Sequence, residues 1–499
     1  MILLSGIMAG PFAGIIILAA GILIAFFAGF SQSRRINIII ASVTAASYAA
    51  AIYINIRNYL SAGTAATYLT NTGLAETIIS AALLFCGLNV LFFLALDKLS
   101  RRDFVRQVII LSFAVVSMLW LVISDNIVLF TVSLIVSILS IFNFLASSGK
   151  DQSGVSEYAG GFGLRPAAAA GFVLLGFSLL AGTGTMGSIS SIPALEKTGD
   201  PLFMMAALFL GCAVYLFFFL YPFQGLLLGL SARTDVFSNQ VVWMLYIPAG
   251  IVMLVRLETF FDIFYGRQNI YGFVFLALLA FLNLLGPGLA LVRSFNIKRI
   301  FTLFLLFQLG TLLLVKAAGF TGRGPSYTAG IFDLWVLFII ITVFLPLSMF
   351  SRVLETSGGM IDRSRGFLRS RPYAGSCFVI ILIWWLASNI YLCFLNGPLP
   401  GALLMEQGAE AAVLYAGCAA ALALMAANII RILVILFARP LENLPPSAAS
   451  LPLVFYIYIS FFALAAAAAA VLVFTGNAGT GQDSIQIWGS SFYIFGSGN

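Results

Sequence analysis

The sequence predicts an all-α polytopic membrane protein of about fourteen transmembrane helices, with two inverted five-helix repeats carrying broken helices. Composition is the first reason. Of 499 residues, 62% are hydrophobic and 9% charged, and the mean hydropathy is +1.08, well outside the range of soluble domains. The second is the recurrence of apolar windows of about 20 residues, the length that crosses a bilayer as a helix. The third is a pair of apolar helices interrupted by proline, YLFFFLYPFQG at Pro222 and IYLCFLNGPLPG at Pro398. Pro222 and Arg256 are 34 positions apart, and Pro398 and Arg431 are 33 apart. A helix broken in lipid frees backbone groups that lipid cannot satisfy. Two breaks at matching offsets therefore point to a transporter fold of structural repeats, with its pathway at the breaks.

In chain order the expected spans are 3–29, 36–55, 76–96, 105–123, 127–147, 166–188, 203–221, 236–255, 272–292, 300–318, 328–350, 373–396, 410–437 and 452–474. They group as three leading helices in 1–100, one repeat in 101–257, a second in 271–438, and a last helix with its tail in 439–499. Counting Arg106, Lys316 and Arg431 with the loops beside them, odd-numbered loops hold 19 of the 25 Lys and Arg and even-numbered loops hold 6. The positive-inside rule then makes the odd loops cytoplasmic and puts both termini outside, in a multi-pass protein of the inner, cytoplasmic membrane. On this count no Lys or Arg sits at the centre of a span. MILLSGIMAGPFAG lacks a basic leader and runs straight into an apolar span, so it is expected to be a retained helix. The longest polar connections, 148–165 and 351–372, are too short to fold alone. In the last span Ala465–Ala470 offers a small-residue face for close helix contact.

The same composition excludes several classes. The formal net charge of +7 is spread between apolar spans, so it signals topology and not nucleic-acid binding. Histidine is absent, which removes the commonest proton shuttle and metal ligand. Cys86, Cys212, Cys377, Cys393 and Cys418 all fall in apolar spans without CxxC spacing, so neither a disulfide framework nor a metal site is expected.

Several stretches carry a resemblance. The run from Arg106, RQVIILSFAVVSMLWLVISDNIVLFTVSLIVSILSIFNFLAS, resembles the fourth and fifth helices of the antiporter-like membrane subunits of complex I, of its membrane-bound hydrogenase relatives and of Mrp-type sodium/proton antiporters. YPFQGLLLGLSARTDVFSNQ resembles that family's Pro-Phe-His break, and NIKRIFTLFLLFQLGTLLLVKAAG its Lys-Arg-led helix. RPYAGSCFVIILIWW and AANIIRILV resemble its twelfth and thirteenth helices. Order, span count and outside termini agree most closely with the N-type subunit of bacterial NADH-quinone oxidoreductase. The resemblance implies a membrane-arm subunit whose partners are other membrane and peripheral subunits, with catalysis and cofactors on those chains and none on this one.

What the resemblance implies about sites is mostly loss. The family relays protons between a glutamate in the fifth helix and lysines in the seventh, eighth and twelfth. Here the glutamate position is Leu134, the seventh-helix lysine is Phe217, the eighth-helix lysine falls at about Ile247, and the histidine after the Pro-Phe break is Gln224. No lysine follows Arg371. The remaining candidates to line a pathway or mark a break are Ser133, Ser137, Ser140, Pro222, Gln224, Gln240, Gln308, Ser388, Asn389, Pro398 and Asn428. Uncharged polar residues of this kind glue helices together more often than they conduct. Glu76, Asp333 and Glu410 at span ends, with Lys316 and Arg431, read as charges that reach the headgroups.

The sequence therefore describes an antiporter-like subunit of a complex I-related, redox-driven proton- or sodium-translocating assembly, degenerate in its own path and structural or coupling in role. An active cation/proton antiporter module using polar side chains and water is the competing reading. A fourteen-span lipid-linked sugar flippase is expected to line a cavity with basic residues, and no such set is present. The charge asymmetry sets an expected outcome: a cysteine placed near Arg365 is labelled only from the cytoplasm, and one near Asp483 only from outside. Reversed labelling at both sites rejects the fourteen-span topology.

Overall fold

The computed structural model describes chiefly residues 36–61, 101–148, 152–182, 201–264, 270–319, 338–390 and 408–438, with short gaps, and parts of 17–24 and 80–91. Helical residues occur in all fourteen expected spans, from seven in the first to Leu464 alone in the last. In chain order the helices are α1 (Ile36–Ser61), α2 (Arg101–Ile123), α3 (Ile127–Ser148), α4 (Gln152–Gly182), α5 (Pro201–Phe217), α6 (Gln224–Arg233) and α7 (Val236–Val241). They continue with α8 (Ile247–Phe264), α9 (Ile270–Val292), α10 (Ile297–Gly319), α11 (Leu345–Glu355), α12 (Phe367–Ser370), α13 (Pro372–Ile390) and α14 (Gly408–Phe437). The described residues form no strand ladder, and one bridge pairs Asn296 with Met360. Among the described residues, six helices are long and apolar enough to cross a membrane, and several shorter apolar ones accompany them.

α10 is the axis of the bundle. In its apolar window, Ile297–Leu314, 94% of the residues are buried, against 39% in α4 and α14. A helix apolar on every face is stable only when other helices cover every face. It pairs along its length with α9 and also touches α6 and α11, while α14 packs on α9 and α2–α3 and α4–α5 form further hairpins. The α9–α10 contact is tight because of two residues. Pro287 has no N–H to offer the carbonyl of Asn283 four residues earlier. Gly310 lies so close to that carbonyl that an added methyl would meet the Asn283 carbon and oxygen at 2.8 Å.

Two helices widen into π turns, at Val242–Tyr246 between α7 and α8 and at Ile340–Phe344 before α11. The cause is legible in hindsight, because each turn is followed two residues later by proline, Pro248 and Pro346. Proline removes one helical hydrogen bond and its ring presses on the carbonyl four residues back, here Met244 and Thr342. Widening the turn relieves that clash. The two π turns pack against each other.

Three boundaries differ from expectation. The connection 148–165 is helical from Gln152 onward, so α4 carries Arg165 inside a helix. The expected span 203–221 stops at Phe217, and α6 continues it beyond a six-residue interruption. The connection 351–372 is structured, with a 3₁₀ turn at Asp362–Ser364 and a left-handed Gly366, φ 76°, that turns the chain into α12. Pro222 and Pro398 themselves lie outside the described residues.

Gly310→Ala is expected to lower the thermal midpoint in detergent, by a cost of about 1–3 kcal/mol for overpacking against backbone. Gly171→Ala is the control, because its methyl meets nothing within 4 Å, and it should hold the midpoint or raise it slightly through helix propensity.

Candidate functional site

The site begins at the interruption between α5 and α6. Near the end of α5, Phe218 N–H bonds the Val214 carbonyl at 3.1 Å. Tyr246, in the first π turn, donates its hydroxyl to the Phe217 carbonyl at 2.7 Å. Phe223 N–H donates to Leu220 O at 2.8 Å. The Phe223 carbonyl opens α6, accepting from Leu226 N–H at 3.4 Å. Arg165 of α4 adds a second donor to it, from Nη1 at 2.9 Å, with its guanidinium 4.6 Å from the centre of the Phe223 ring. Gln224, the first residue of α6, is half-buried, and its side-chain oxygen takes no donor.

Arg165 was hidden in the sequence, where it counted as the last residue of a loop. Arg165 stands two residues inside the apolar window Gly163–Ala181 of α4, near its end. The signal that could have found it is the Arg-Pro pair at the head of an Ala-rich apolar window, Arg165-Pro166-Ala167.

The positions at which the resemblance implies charges hold buried apolar side chains. Leu134, Phe217 and Ile247 are all fully buried. Phe217 lies face to face on Tyr246, with ring centroids 4.4 Å apart and planes 3° apart. Beneath them Gly250 leaves no spare room, since an added methyl would come within 2.6 Å of the Phe218 ring and 2.9 Å of Phe217.

The uncharged candidates fall into separate small networks. Gln308 and Asn389 are brought together, with Asn389 Nδ2 donating to Gln308 Oε1 at 2.9 Å and to Trp385 O at 2.8 Å. Thr311, which the sequence reading missed, donates to Asn389 Oδ1 at 2.7 Å. It stands three residues after Gln308, on the same helix face. Gln240 donates to the Ser348 hydroxyl at 3.0 Å, another partner not foreseen. Ser137 Oγ lies 2.9 Å from Ser117 Oγ and 2.8 Å from the Ser133 carbonyl. Ser388 bonds back to Trp385 O in its own helix, and Ser140 is partly exposed. Asn428 ties α14 to α9 through Gly288 O at 3.3 Å. Among the described residues no hydrogen bond joins one network to the next. Two tryptophans add further ties between helices, Trp243 to Thr302 at 3.2 Å and Trp384 to Thr342 at 3.0 Å.

Basic residues near span ends also bind backbone. Lys298, buried, donates to the Thr234 carbonyl that ends α6 at 2.5 Å. Arg431 donates to the carbonyls of Leu291, Val292 and Ser294 at the end of α9. It is a helix cap, because helix C-termini present unpaired carbonyls and a partial negative charge. Glu76, Asp333, Glu410 and Lys316 lie where side chains are not described.

An all-α polytopic membrane bundle with an interrupted seventh span is the class that this architecture defines. No protein-family model and no curated protein sequence matches the chain. Solved structures do. A chain of respiratory complex I from Thermus thermophilus superposes with a TM-score of 0.69 at 17% identity, over 92% of this chain and 97% of that one. A chain of the membrane-bound sulfane sulfur reductase, an archaeal respiratory membrane complex, gives 0.69 at 15% identity, over 93% and 97%. The chain has the fold of these respiratory-complex chains, as the resemblance in its sequence implied.

The Gln308–Asn389 contact is expected to be stabilising and cooperative. Asn389→Leu strands Gln308 and Thr311 and should cost about 1–3 kcal/mol. In a double-mutant cycle measured by thermal unfolding in detergent, the Gln308→Leu, Asn389→Leu pair should lose less than the sum of the single changes. Strict additivity would show that the two amides do not act together.

Proposed function

We propose that this chain is an antiporter-like membrane-arm subunit of a complex I-related, redox-driven proton- or sodium-translocating assembly, without a proton path of its own and structural or coupling in role. The observation that carries this reading is the Phe217–Tyr246 stack. Where the resemblance places the seventh-helix lysine, Phe217 lies face to face with Tyr246 over Gly250, and the carbonyl freed by the break is held by the Tyr246 hydroxyl. Such a pair contributes about 0.5–1.5 kcal/mol beyond the burial of its area and leaves no group that takes up and releases a proton. Residues 101–257 and 271–438 are, in this reading, the two five-helix repeats, and partner subunits carry the catalysis and cofactors.

The competing reading, an active module conducting through polar groups and water, draws on one observation. Gln308 is fully buried and its amide nitrogen takes no acceptor. Both are tested together. Reconstituted alone, the chain is expected not to dissipate a proton gradient. Replacing Gln224, Gln308 or Asn389 by Leu is expected to alter assembly or stability more than ion transport by the whole complex. A Gln308→Leu complex that stays intact but loses transport would select the polar pathway instead.

A further inference from the structure

Where α9 turns into α10, the chain is sewn to the segment that leads into α12. Ile361 N–H donates to the Phe295 carbonyl at 2.8 Å, and Asn296 bridges Met360. α14 lies between this turn and the start of α13. Its Arg431 guanidinium stands 5.8 Å from the centre of the Phe295 ring, and a methyl added at Gly375 would come within 3.3 Å of the Phe437 ring. Arg293, Arg365 and Arg369 are exposed around this junction. Among the described residues the carboxylate that reaches them is Asp362, 3.7 Å from Arg365 and itself open to solvent. The rim is therefore positive and mostly uncompensated. Leading away from it, α14 presents Ile430, Val434 and Phe437, all exposed, on one stripe.

We propose that Arg293, Arg365 and Arg369 bind the phosphates of anionic phospholipid whose acyl chains lie along the Ile430, Val434 and Phe437 stripe. Level is the first reason. The apolar windows of α10 and α13 begin at Ile297 and Pro372, and that of α14 ends at Phe437. The three arginines thus stand just beyond the ends of apolar spans, where a bilayer has its phosphates. Residue type is the second. A guanidinium pairs with phosphate oxygens through two parallel N–H donors, whereas the point charge of a lysine would serve topology equally well. The stripe is the third. Helices that pack on one another in a membrane do so through small residues, and these three are bulky. An acid-bearing helix of another chain would match the rim but not the stripe. Phe295 and Tyr373, 47% and 54% exposed, stand at the same rim, as aromatic side chains do at a membrane surface. The inference stands apart from the subunit reading, since it requires only a membrane-spanning chain.

The test uses the full chain in mild detergent, offered equal amounts of phosphatidylglycerol and phosphatidylcholine, with the bound lipid read by native mass spectrometry. Phosphatidylglycerol is expected to dominate. Arg293→Gln and Arg369→Gln should each lower its excess about five-fold, the effect of one basic residue at an anionic surface, and the triple change with Arg365→Gln should abolish it. The lysine variants should keep it in part. Arg106→Gln, which removes an exposed arginine paired with Asp103, should leave it unchanged, and inorganic phosphate should not compete. Equal binding of the two lipids, an excess that survives the single changes, or displacement by inorganic phosphate overturns the assignment. The photoreactive p-benzoylphenylalanine in place of Tyr373, in native membranes, checks the occupant in place. A phospholipid adduct is expected, and an adduct to another protein, or to a second copy of this chain, overturns it.

Discussion

A polypeptide that interrupts a helix inside a membrane must supply its own hydrogen-bond partners, since hydrocarbon supplies none. That constraint governs the residues around the seventh span. Tyr246 holds the Phe217 carbonyl that ends α5, and Arg165 adds a donor to the Phe223 carbonyl at the head of α6. Lys298 and Arg431 meet the same need as Tyr246 where α6 and α9 end. Three side chains that differ in charge, size and position thus perform one task. Their shared role explains why a chain with so few charges keeps basic residues at these points.

The neutral interior follows from the same economy of partners. Inside α10, α13 and the segment before α11, polar side chains are spent in pairs. Amide meets amide at Gln308 and Asn389, and indole meets hydroxyl at Trp243–Thr302 and Trp384–Thr342. Aromatic rings fill the space between, with Trp385 lying 4.9 Å from Phe304 and 5.7 Å from Phe307. Each network is short and closed locally. A bundle built this way gains specificity of packing.

Much of the fold was legible because its signals are additive. Apolar windows located the spans, and Pro222 located the break through the lost N–H. What stayed hidden depends on three-dimensional pairing. Thr311, Ser348 and Ser117 look like any hydroxyl in an apolar helix, and only the facing helix reveals Asn389, Gln240 and Ser137 as their partners. Arg165 was misplaced for a specific reason: polarity draws span boundaries, so a charge near a boundary is pushed into the loop even when the helix runs past it. Pro248 and Pro346 were visible in the sequence, but whether proline kinks, ends or widens a helix depends on the packing around it.

The first π turn decides which way the rest of its helix faces. A π turn holds one residue more than the α-helical turn it replaces. Carried through as regular helix, one more residue would rotate everything after it by about 100°, turning Leu254 and Leu257 out of the core they occupy. Widening at Val242–Tyr246, beside Pro248, confines the extra residue to five positions and leaves the buried face of α8 in place.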